Sequence, residues 1–130
     1  MTFPITIALS SLLALWLLVL SLNVSRARGD ASVSLGDGGD EPLLRRIRAQ
    51  ANFVEYVPIM IVLFGIGEYL QTNVFFLGGM ATLFFLGRLV HGYALSFSSN
   101  NPSARMFGAS ATFIVLLVIP ISNLVVAFLK

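Results

Sequence analysis

Arg48, Asn52 and Glu55 stand in an otherwise largely apolar stretch, followed by Pro58. At 100° per residue they project at about 0°, 40° and 340°, one narrow face of a helix. An Arg or Glu at bilayer depth costs about 2.5 to 3.5 kcal/mol on insertion scales, so these side chains are expected to face a bundle interior and to mark a functional site. Further along, Arg88 and His91 are three residues apart and share a face, and Arg105 opens a later apolar stretch. Glu55 is then the one carboxylate inside the apolar stretches, set against Arg48, Arg88 and Arg105. One acid cannot neutralise three guanidinium groups. The surplus should attract an anion, and Arg narrows it to a carboxylate or phosphate that can be bound bidentately.

Each of these residues also has a purely structural reading. Glu55 could pair with Arg88 or Arg48 and lock helix packing. Asn52 and Thr112 could hydrogen-bond across helices. A lone histidine such as His91 is more often a packed residue than a base or ligand. With no second histidine and no cysteine in the chain, a metal site is not expected, and disulfides and cysteine thiolate catalysis are excluded. Pro58 is expected to kink its helix and free the Val54 carbonyl. Trp16, Tyr69 and the Phe residues read as lipid-facing or interfacial, and Gly78, Gly79 and Gly87 as points of close packing.

The elements that hold these residues must be membrane helices. Hydrophobic residues make up 57% of the 130, and charged residues only 11%, against about 25% in soluble domains. A water-exposed surface cannot be built from so few charges, so the bilayer must be the solvent. A single domain of four spans is expected, over residues 2–25, 42–67, 69–97 and 103–128. The first lacks a basic n-region and a small-x-small cleavage site, so it is expected to persist as a helix. Between the first two spans lies a loop with Arg26, Arg28, Asp30 and the run Gly36-Asp37-Gly38-Gly39-Asp40, with Asp40 or Glu41 before Pro42 as the next helix start. The second connection, around Glu68 and Gln71-Thr72-Asn73, is very short. The third is the polar turn Ser98-Ser99-Asn100-Asn101-Pro102.

Basic residues set the expected orientation. The first loop and the start of the second span hold Arg26, Arg28, Arg45 and Arg46, and Arg105 follows the third loop, whereas Lys130 ends the chain on the other side. By the positive-inside rule the first and third loops are cytoplasmic, both termini lie opposite, and the helices run up-down-up-down. The polar residues then gather in the cytoplasmic half.

The second span reads Arg48-Ala49-Gln50-Ala51-Asn52-Phe53-Val54-Glu55-Tyr56-Val57-Pro58, the third contains Gly87-Arg88-Leu89-Val90-His91, and the fourth begins Arg105-Met106-Phe107-Gly108 with Thr112 beyond. This order and spacing resembles the membrane-associated proteins in eicosanoid and glutathione metabolism, the MAPEG family. The likeness covers nearly all of residues 41–115 and is greatest to short bacterial members, implying an integral protein of the bacterial inner membrane. It implies a four-helix subunit in a homotrimer, with glutathione as co-substrate bound between subunits. Residues matching Arg48, Asn52, Glu55, Tyr56, Arg88 and His91 would hold glutathione, and the one matching Arg105 would stabilise its thiolate. Three Arg and one Glu nearly complement the two carboxylates and one ammonium of glutathione.

The implied chemistry is thiol activation. A free thiol with a pKa of about 8.5 is mostly neutral at cytosolic pH, and lowering it by about two pH units corresponds to about 2.7 kcal/mol. The thiolate would attack an apolar electrophile or lipid hydroperoxide arriving from the membrane, so the expected activity is glutathione transfer or peroxide reduction. The pattern departs from the family's synthase-type members, which carry Tyr one and two turns past the third-span Arg. Here Tyr93 lies about 140° around the helix from Arg88. Two other functions are weighed. One is a non-catalytic protein of the same fold. The other is a small four-helix exporter with Glu55 as its proton carrier, which a charge-free first helix and three Arg residues disfavour.

Overall fold

In the computed structural model, which describes residues 2–99 and 101–129, every regular element is an α-helix. They are α1 (Pro4–Ala31), α2 (Glu41–Tyr69), α3 (Val74–Ser96) and α4 (Pro102–Leu129). All four are long and apolar enough to cross a membrane. Asn100 of the third connection and the terminal Lys130, used above as an orientation signal, lie outside the described residues.

Local chemistry sets the ends. The first helix does not stop at Ser25 but continues through Arg26 and Arg28. It closes on Ser32 in the left-handed region, with the Ser32 and Val33 amides donating to Gly29 O and Arg28 O. Arg28 Nη1 then donates to Gly36 O at 2.7 Å, and Gly36, Gly38 and Gly39 take positive φ, which folds the loop tightly. Of the two expected starts for α2, Asp40 is the cap: its Oδ1 accepts from Leu43 N at 2.7 Å, with Pro42 in the first turn. Asn73 caps α3 by accepting from Phe75 N and Phe76 N. The second connection is therefore Leu70–Asn73, and Tyr69 ends α2 rather than beginning α3. α2 continues through Pro58 and α4 through Pro120; each proline leaves a carbonyl one turn back without its helical donor.

Side-chain hydrogen bonds show which helix ends meet. The start of α1 lies against the end of α2, where the Glu68 carboxylate accepts from Ile5 N and Thr6 N, each at 2.9 Å. The other end of α1 meets the end of α3 through Asn23 and the Ser96 carbonyl. The start of α2 meets the loop after α3 through Arg45 and the Ser98 carbonyl. A shared core of Leu9, Leu13, Leu20, Phe53, Met60, Phe64, Phe84, Val115 and Ile119 joins all four helices.

Gly87 is a close-packing point as expected, whereas Gly78, Gly79 and Trp16 differ from expectation. Gly87 and Gly108 bring α3 and α4 together: a Cβ on Gly108 would lie 2.5 Å from His91 Cβ and 2.6 Å from Gly87 O. Gly92 is the seat of Trp16, whose Nε1 would lie 2.9 Å from an added Cβ. Trp16 thus turns inward, half-buried, and its indole N–H donates to the Arg88 carbonyl at 3.3 Å. By contrast, Gly78 and Gly79 have nothing within 4 Å of an added Cβ, so neither is a close-packing point within the chain. Tyr69 is exposed, as an interfacial residue should be.

Candidate functional site

The polar stripe of α2 does not face the interior of this bundle as a unit. The buried positions of α2 are Leu43, Ala49, Phe53, Val57, Met60, Phe64 and Gly67, and Arg48 and Glu55 flank that apolar seam. Their side chains are 53% and 51% exposed, and Arg48 Nη2 approaches Glu55 Oε1 at 3.6 Å, one of the two pairings open from sequence. Asn52, on the inner edge of the stripe, is the member that turns into the chain.

Arg88 is the buried charge. Only 1% of it is exposed, and it ranks with Phe64 and Phe84 among the largest enclosed side chains. No carboxylate is among its hydrogen-bond partners in the described residues. Instead Nη2 donates to Asn52 Oδ1 at 2.6 Å and contacts His91 Nδ1 at 3.3 Å, while Nη1 donates to Thr112 Oγ1 at 3.2 Å. Thr112 in turn donates to Gly108 O at 2.9 Å. One guanidinium thereby ties α2, α3 and α4 together beside the Gly87–Gly108 crossing. That crossing has a physical role here. Without a side chain at either position, α4 comes close enough for Thr112 to reach Arg88.

Directly against this network lies a cleft of about 300 Å³, lined by Glu41, Leu44, Arg45, Arg48, Asn52, His91, Leu95 and Arg105. A second hollow of about 280 Å³ shares His91 and Arg105 with it and adds Pro102, Met106 and Ala109. The fold therefore brings Arg48, Asn52, His91 and Arg105 to one cavity from three different helices. Arg88 stands behind its wall, and Glu55 joins it through Arg48. Tyr56 does not line it; its ring packs edge-on against Phe113 at 5.7 Å. Tyr93 is exposed and stacks on Phe97, away from the cleft.

Sequence reasoning missed Arg45, which it took for a topology signal alone. Three residues before Arg48, it shares the face of the stripe, and that spacing could have found it. Its Nη1 donates to Ser98 O, and its Nε is buried without a partner. Among the described residues no group of three or more His, Cys, Asp or Glu is arranged to hold a metal ion.

Fold and site together define a small polytopic α-helical membrane protein whose helices converge on an arginine-rich cleft. Residues 6–125 match the MAPEG family, and the chain belongs to it. It is similar to the inner membrane protein YecN of Escherichia coli strain K12, with 36% identity over 111 residues, covering 85% of this chain and 83% of the relative. The YecN protein of E. coli O6:H1 (strain CFT073) matches to the same extent.

Proposed function

We propose that this protein is a glutathione-dependent transferase or peroxidase of the bacterial inner membrane. The observation that carries this reading is the cleft lining: Arg45, Arg48 and Arg105 converge with Asn52 and His91, and Glu41 is the one acid in the wall. Such a site suits a ligand with two carboxylates and a thiol. Its volume of about 300 Å³ is at the lower end of small-molecule sites, about 300 to 1,000 Å³. A neighbouring subunit that closed the open side would enlarge and dry it, and would cover the exposed Arg48–Glu55 pair on the flank of α2. This supports a homotrimer with glutathione between subunits. The helix ends that meet, α1 start with α2 end, α2 start with the loop after α3, and α1 end with α3 end, support an up-down-up-down course. The basic residues support cytoplasmic first and third loops and, with them, a cleft that opens to the cytosol.

In this reading Arg48, Asn52, Glu55 and His91 bind the tripeptide, joined by Tyr56 where a second subunit completes the site. Arg88 supports them from behind, and Arg105, at the opening of α4, faces the sulfur. A guanidinium in a partly dry site favours thiolate over thiol. In transfer, the thiolate sulfur forms a bond to the electrophilic carbon, and the leaving group departs with the bonding electron pair. In peroxide reduction, two glutathione molecules are oxidised to the disulfide while the O–O bond breaks and the hydroperoxide becomes alcohol and water. The hollow beside Met106 and Ala109 offers apolar surface for the second substrate.

The deciding experiment mixes purified protein with glutathione near neutral pH and follows thiolate absorbance, with Arg105→Ala alongside. A thiolate signal in the wild type that the variant loses supports activation. Binding without a thiolate signal selects the second reading, a family member that holds glutathione without chemistry, which the exposure of Arg105 favours. Absence of binding refutes both.

A further inference from the structure

We propose that Arg88 governs the cleft without entering it: by occupying the acceptor atoms of Asn52 and His91, it turns the donor edges of both residues toward the ligand. The argument is one of hydrogen-bond parity. A guanidinium has five N–H donors and no acceptor, so whatever it bonds must present a lone pair. Thr112 satisfies this because its own hydroxyl proton is directed at Gly108 O, leaving the oxygen to accept from Arg88 Nη1. Asn52 satisfies it with Oδ1, at 2.6 Å from Nη2. The Asn52 amide NH₂ is therefore left for the cleft that Asn52 lines.

His91 obeys the same rule. Its Nδ1 faces Arg88 Nη2 at 3.3 Å and must be the unprotonated nitrogen. The proton then sits on Nε2, because an imidazolium would set one donor against another. His91 lines both hollows, and with Nδ1 engaged by Arg88 the group left for them is Nε2–H. Together with Arg45, Arg48 and Arg105, five of the eight residues around the cleft then present N–H donors. The wall selects a group that only accepts hydrogen bonds, a carboxylate or a thiolate, over one that must donate. His91 Nδ1 is not open to take a proton from a thiol. Arg88 is thus a positioning residue, and this inference rests on reading the cleft as an anion site.

The chain has a single histidine, so [¹⁵N]histidine labelling reports this residue alone. In nanodiscs near neutral pH without ligand, the spectrum is expected to show one slowly exchanging neutral tautomer, Nε2 protonated and Nδ1 bare. An Nδ1–H tautomer, an imidazolium or a fast-averaged pair overturns the proposal. Arg88→Lys keeps a donor and is expected to keep the tautomer, whereas Arg88→Met is expected to release the ring to averaging. Should Arg88→Met fail to fold, the wild-type and Lys spectra decide. Asn52→Asp keeps a partner for Arg88 but replaces the inward NH₂ with an acceptor. It is expected to weaken glutathione binding about tenfold or more while leaving thermal stability undiminished. Unchanged affinity in that variant refutes the donor lining. A wild type with the expected tautomer and no affinity for glutathione refutes the proposed function and leaves the Arg88 assignment standing.

Discussion

Removing the Glu68 carboxylate should loosen one end of α1 and nothing else. α1 begins at Pro4 with Phe3 at its N-cap, and Phe3 offers no side-chain acceptor. Proline has no N–H, so the first amides in need of partners are Ile5 and Thr6. Both donate to Glu68, to its two separate oxygens, across more than sixty residues of chain. The carboxylate is a cap supplied by another helix. Two charge-assisted bonds would gross about 3 to 6 kcal/mol. However, Glu68 is only half-buried, and water can reach the freed amides, so the N-cap range of about 0.5 to 2 kcal/mol governs. The favourable charge at the positive end of the helix dipole adds about 0.3 to 1 kcal/mol. Glu68→Ala should therefore raise the amide exchange rates of Ile5 and Thr6 by about tenfold, the equivalent of 1.4 kcal/mol. Glu68→Gln, which keeps one acceptor oxygen without the charge, should fall between. Amides in the α3–α4 contact, such as those of Phe84 and Val115, should not respond. Equal exchange at Ile5 and Thr6 in Glu68→Ala and wild type would refute the interhelical cap. Uniform acceleration through all four helices would show that Glu68 stabilises the whole bundle instead.

The crowding at the α3–α4 crossing makes Gly108→Ala costly, about 1 to 3 kcal/mol in a reversible unfolding measurement, because backbone atoms of Gly87 and His91 cannot yield to a methyl group. Gly79→Ala should be neutral or stabilising by up to about 1 kcal/mol, since it removes a flexible residue from open helix surface. Trp16→Phe should lose about 1 kcal/mol with the bond to the Arg88 carbonyl, whereas Trp16→Ala should lose about 3 to 5 kcal/mol, both read from thermal denaturation followed by circular dichroism. Glu55→Gln should shift stability by less than about 1 kcal/mol, because the Arg48 contact is long at 3.6 Å and half-exposed within the chain, while glutathione affinity measured by calorimetry falls; a large stability loss would make the pair a packing lock rather than part of a site.

The helices were legible because the bilayer leaves few solutions for long apolar runs separated by Gly, Pro and Asp. The site was legible in part, since charge inside such a run is too costly to be incidental. The remainder depends on which helix faces which. α1 is apolar on nearly every side, so nothing in its own sequence selects the face bearing Trp16; the selection comes from the bare backbone of Gly92 on α3. Gly78-Gly79 and Gly87 look alike as small residues, and only the presence of Gly108 opposite makes one of them a crossing point. Glu68 had a readable signal, a helix start at Pro4 without a capping side chain, but its partner lies at the far end of the next helix. The surplus of guanidinium charge can be counted from the sequence, but not how the packing of three helices divides it. Arg88 withdraws into the bundle, where both Nη atoms meet neutral acceptors while Nε is buried without a partner, whereas Arg48 and Arg105 remain at the opening with Arg45. A buried cation bonded to neutral groups depends on those groups being held in place, as Thr112 is by Gly108 O. That requirement couples the packing of α3 against α4 to the chemistry of the cleft. A change at Gly108 should therefore disturb ligand binding as well as stability, through Thr112 and Arg88, without touching the ligand.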